Sequence, residues 1–93
     1  MKVEAFENVW DALEDDPGIR ENLKLRSELM IQIERHIKRE KWTQVEAAKR
    51  LGVTQPRISN LMRGKINSFG LDMLVKMAVA AGLRVSMKVK KAA

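Results

Sequence analysis

The chain has 93 residues, enough for one compact domain and a short appendage. Hydrophobic residues make up 45% and charged residues 32%, which argues against a disordered tail, and the absence of Cys excludes disulfides and thiolate metal sites. The net charge of +6 hides an asymmetry: residues 1–21 carry two basic and seven acidic side chains (net −5), and the remaining sixteen basic and five acidic groups carry +11.

A body that basic attracts polyanions, of which nucleic acid is the commonest. Two Trp, two Phe and no Tyr are too few for the stacking platforms that hold single strands. The start lacks the apolar run of a signal peptide and no stretch approaches the length of a membrane span. A cytoplasmic chain with no membrane partner is the expectation.

In chain order, Phe6, Val9, Trp10 and Leu13 fall at helical spacing and predict a short amphipathic helix over 5–15, closed by Asp15-Asp16-Pro17-Gly18. A long helix should follow, from about Ile19 or Glu21 to Glu40. Leu25, Leu29, Ile33 and Ile37 form its apolar stripe, widened by Leu23 and Met30. Thr43-Gln44-Val45-Glu46 has the pattern of a capping box, with Trp42 and Ala47 as its hydrophobic staple. That helix should stop at Leu51, before Gly52. Thr54 caps another short helix, with Gln55 and Pro56 in its first turn and Val53 and Ile58 repeating the staple; Gly64 ends it. A further helix over 71–81 presents Leu71, Leu74, Val75, Ala78 and Ala81 on one face, capped by either Ser68 or Gly70.

Residues 83–90 alternate strictly, with Leu83, Val85, Met87 and Val89 on one side and Arg84, Ser86, Lys88 and Lys90 on the other. This reads as a strand. A lone strand in a helical chain has no partner, so it is expected to pair with its copy in a two-fold homodimer, the alternative being an extended tail. The chain therefore divides into an acidic appendage (1–18), a domain (19–82) and a dimerisation strand and tail (83–93).

Two short helices joined by a Gly-containing turn, over residues 43–64, form the pattern of a helix-turn-helix. A helix entering the major groove aims its first side chains at base edges. Gln55 and Asn60 carry amides suited to adenine, Arg57 carries a fork suited to guanine, and Ser59 shares their face while Ile58 and Leu61 turn inward. Gln44, Thr54, Arg63 and Lys65 surround this face as phosphate contacts, with Lys49 and Arg50 as further candidates. The bland alternative is an αα-hairpin inside a helical core.

The run from Thr43 to Lys65 (Thr-Gln-Val-Glu-Ala-Ala-Lys-Arg-Leu-Gly-Val-Thr-Gln-Pro-Arg-Ile-Ser-Asn-Leu-Met-Arg-Gly-Lys) resembles the helix-turn-helix of the phage repressor and Cro-like (XRE) family. It is closest to the small HigA-type antitoxin-like regulators. Glu-Asn-Val-Trp-Asp-Ala-Leu at 7–13, Leu-Lys-Leu-Arg-Ser-Glu-Leu-Met at 23–30 and Ala-Ala-Gly-Leu-Arg-Val at 80–85 extend the likeness along most of the chain. The resemblance implies a mostly α, repressor-like five-helix domain, dimeric on operator DNA and often encoded beside a RelE/HigB-like ribonuclease toxin. It also implies that Gln44 touches phosphate while Gln55, Pro56, Arg57 and Asn60 face the bases. Pro56 stands where many repressors have a second Gln.

Transcriptional regulation is thus the expected role. The alternative is a protein-interaction module in which Phe6, Trp10 and Leu13 contact a basic toxin, unless they pack on the chain's own core. An enzyme is not expected, with one His, no Gly-rich phosphate loop and no nucleophile–base pair. Nor is a metal or cofactor. His36 reads as solvated, and Met30, Met62 and Met77 read as core fillers.

Overall fold

The computed structural model describes residues 16–92. The helix expected over 5–15, and with it Phe6, Trp10 and Leu13, lies outside them. The described residues form four α-helices: α1 (Pro17–Arg39), α2 (Gln44–Leu51), α3 (Gln55–Met62) and α4 (Leu71–Ala80), with a 3-10 turn at Ile66–Ser68. None is long and apolar enough to cross a membrane.

Pro17 and Gly18 lie in the first turn of α1, which begins ahead of the start expected at Ile19 or Glu21. Asp16 is its N-cap, accepting from the Ile19 amide at 3.0 Å, and Pro17 sits in the first turn, where its missing N–H costs nothing. The helix ends on Glu40, and Lys41 turns the chain at φ 58°. A left-handed turn usually signals itself by Gly; here the side chain is Lys, so the sequence carried no mark of it.

The core is one cluster. Leu23, Met30, Ile33 and Ile37 project from α1 against Leu74, Met77 and Ala78 of α4, and Ala47, Leu51, Ile58 and Leu61 come from the middle pair. Ile66 and Phe69, each 1% exposed, plug the space beside the 3-10 turn. Met30 and Met77 fill the core as expected, and Met62 packs at its edge. The stripe of α1 is rotated from its expected line: Leu25 is 42% exposed, while Leu23, read only as a widening residue, is fully buried. Either set fits a helical period; the position of α4 selects between them.

At the end of α2, Gly52 adopts φ 70° and ψ 33°, the left-handed cap its place in the sequence required. A Cβ there would meet nothing within 4 Å, so the only cost of a side chain is backbone strain. Gly52→Ala should therefore lower stability by about 1–2 kcal/mol, visible as a reduced urea midpoint with unchanged slope. An unchanged midpoint would contradict the assignment.

The C-terminal segment departs from expectation. Among the described residues there is no strand: Leu83 closes α4 by donating to the Ala78 carbonyl at 2.9 Å, and 84–92 run on without helix or ladder. The physical reason lies in what a strand is. Its ladder needs a neighbouring edge, and the helices of this chain offer none. The side chains keep the alternation only in part. Leu83 packs against the core, Val85 is 39% exposed, and Met87 and Val89 are exposed at 82% and 83%.

Candidate nucleic-acid interface

The middle helices are built to be short and rigidly joined. The Thr43 hydroxyl accepts from the Glu46 amide at 3.1 Å, as the capping pattern required. The reciprocal bond does not form, because the Glu46 carboxylate takes Arg50 instead, with Nε and Nη2 each 3.0 Å from Oε1. Arg50 also lies over the Trp42 ring, 4.8 Å from its centroid. Arg50, one of the further phosphate candidates, is thereby committed to holding α2. His36 meets the same indole edge-on at 5.3 Å, so it packs against a ring rather than standing free in water.

Three residues turn the chain from α2 to α3. Val53 donates to the Ala48 carbonyl at 3.0 Å and packs on the core, and the Thr54 hydroxyl accepts from the Arg57 amide at 3.3 Å. Thr54 is thus engaged as a cap. With Ile58 and Leu61 both fully buried, the opposite face of α3 is left outward.

On that face the structure brings together six of the nine residues read as DNA contacts. Gln44 from the start of α2 joins Gln55, Pro56, Ser59, Asn60 and Arg63 from α3 and its end around one shallow cleft. Gln44, Gln55, Pro56 and Arg63 are exposed, and Ser59 and Asn60 are half-buried. Arg63 Nη2 donates to Asn60 Oδ1 at 3.3 Å, which leaves the Asn60 amide nitrogen as the donor of that side chain. Lys65, exposed, follows past the end of the helix.

Arg57 is the exception. Its Nη1 donates to the Ser68 carbonyl at 2.7 Å and its guanidinium lies 5.5 Å from the centre of the Phe69 ring. From α1, Arg26 Nη1 donates to the carbonyls of Ile66 and Phe69, at 3.3 and 3.2 Å. Two guanidiniums from different helices thus grip one turn. Reasoning from the sequence read Arg57 as a base contact and did not single out Arg26 or Phe69. Nothing in local spacing couples Arg26 to a turn forty residues on.

Among the described residues no group of His, Asp or Glu is gathered to hold a metal.

Two capped helices crossing through a tight Gly turn, the second with an apolar inner face and a polar outer one, define a helix-turn-helix protein. A profile of helix-turn-helix domains matches residues 12–90, and the chain belongs to that family. Curated proteins offer no match. The helix-turn-helix is the reading unit of DNA-binding regulators, and α3 is the second helix of that unit here.

Proposed function

We propose that the protein is a sequence-specific transcriptional repressor, binding operator DNA as a homodimer and regulating its own gene in the manner of the XRE and HigA-type regulators it resembles. The cleft that gathers Gln44, Gln55, Pro56, Ser59, Asn60 and Arg63 carries this reading. It puts amide readers beside a helix N-terminus suited to phosphate, on the face that an inserting helix presents. Two such readers related by a two-fold axis address half-sites ~34–36 Å apart.

The dimer is assigned to Leu83, Val85, Met87 and Val89. What supports it is a segment whose apolar residues alternate in the sequence and which, beyond Leu83, lies exposed and outside any helix. A chain ending at Gly82 should sediment as a monomer and lose most of its operator affinity, because each half then binds alone. An unchanged dimer after that truncation would assign the interface elsewhere.

The acidic character of residues 1–21, net −5, favours a second reading. In it Phe6, Trp10 and Leu13 bind and neutralise a basic RelE/HigB-like ribonuclease toxin, as an antitoxin does, and DNA binding serves autoregulation.

The deciding experiment is fluorescence-polarisation binding to the duplex upstream of its own gene, against a scrambled duplex, across several salt concentrations. A preference of ~10³-fold or more is the expected result for a specific regulator. Absence of binding to either duplex at low salt would overturn the DNA reading.

A further inference from the structure

A groove of about 510 Å³ lies between α1 and α4, bordered by the C-terminal segment. Leu25, Glu28 and Leu29, at i, i+3 and i+4, bring one face of α1 to it, and Val75 and Ala78 come from α4. Leu25 is 42% exposed there, and Val85 and Met87 of the bordering segment are 39% and 82% exposed. We propose, on the homodimer reading above, that this groove is the second half of the interface between two copies of the chain. The C-terminal segment of one copy lies in the groove of the other. The partner's Val85 and Met87 then rest on Leu25 and Leu29, and the partner's Arg84 or Lys88 meets Glu28.

Charge picks out a second copy as the occupant. Two chains of net +6 repel at a distance, so contact between them needs opposite charges brought together locally. The groove supplies both signs on different borders: Glu28 on α1, Arg84 and Lys88 on the C-terminal segment. Among the described residues, none of the three is held in an ion pair. A two-fold axis exchanges the borders, so that each Glu28 meets a cation of the other chain and every contact is made twice. A partner of one sign, such as a basic toxin, would suit Glu28 and be repelled by Arg84 and Lys88.

Spacing agrees. Leu25 and Leu29 stand ~6 Å apart along the axis of α1. In an extended chain Val85 and Met87 stand ~6.7 Å apart, so both can rest on the two leucines at once. Arg84 and Lys88 have the long stems needed to reach a carboxylate at the rim. The segment that borders the groove is also the one assigned to the dimer, so a copy paired with it comes to lie over Leu25.

Sedimentation equilibrium of the full chain tests this. Glu28→Lys should raise the dimer dissociation constant by about tenfold or more. Arg84→Glu with Lys88→Glu should do the same, although it lowers the positive charge that drives the copies apart. Combining all three substitutions should recover most of the loss, because the pairs re-form with their signs exchanged. Glu40→Lys makes the same change of net charge at the C-cap of α1 and should leave the dimer as it is. Leu25→Gln, which alters no charge, should weaken it, with far-UV circular dichroism reporting that each chain stays folded.

A full chain that is monomeric removes the homodimer reading itself, and the groove contact with it. A dimer unmoved by Glu28→Lys and Leu25→Gln keeps that reading and overturns the groove contact, leaving the groove to residues 1–15 or to a separate protein. Loss in both charge variants without recovery in their combination overturns the pairing of Glu28.

Discussion

Phe69→Ala is expected to lower the unfolding free energy by ~3–5 kcal/mol, the usual cost of removing a buried phenyl ring. Phe69 is 1% exposed, and its ring is packed at the core while bearing the Arg57 guanidinium 5.5 Å from its centre. The substitution leaves a cavity and also removes what Arg57 rests on. Domains in general have only about 5–15 kcal/mol to lose, and one this small lies towards the lower end. Urea denaturation followed by circular dichroism would show the midpoint fall. Arg57→Ala, which keeps the ring and loses a partly exposed contact, should cost on the order of 1 kcal/mol. Equal effects from the two substitutions would mean that the ring does not anchor the turn.

A different quantity is expected to change when the reader itself is altered. Gln55→Ala or Asn60→Ala should weaken operator binding by ~1–3 kcal/mol, and each should relax the preference at one base pair. Both side chains border the cleft and neither belongs to the core, so thermal stability should hardly move. Lys65→Ala provides the contrast. As a phosphate contact it should weaken all sequences alike and reduce the salt slope by about one charge. Binding measured against a set of single-base operator variants, at several salt concentrations, separates the two behaviours. If Lys65→Ala changed base preference while Gln55→Ala did not, the reader would have been assigned to the wrong face.

The parts of this fold that could be read from sequence are those decided within a few residues. Thr43 and Thr54 had to cap, Gly52 had to turn, and Ile58 and Leu61 had to face inward, because each of these depends on spacing alone. Six of the proposed DNA contacts share one cleft for the same reason: the two helices that carry them are fixed by those caps.

What could not be read depends on distant neighbours. Glu46 chose between its own backbone and Arg50, Leu25 and Leu23 competed for the core, and Arg57 turned from the cleft to the Ser68 carbonyl. The strand expected from Leu83, Val85, Met87 and Val89 does not form within the single chain, for a reason of another kind. Alternation describes side chains, whereas a strand is defined by backbone bonds to a neighbour that one chain does not supply.

Connections between helices are ordinarily where a protein accepts changes of length. The one after α3 is built otherwise: the carbonyls of Ile66, Ser68 and Phe69 are each taken by an arginine, and Phe69 is sunk in the core. An inserted residue there would dislodge the ring or break the grip and so shift α3 against the rest of the core. The outward side chains of α3 can be exchanged without disturbing this packing, whereas a change of length between that helix and α4 cannot.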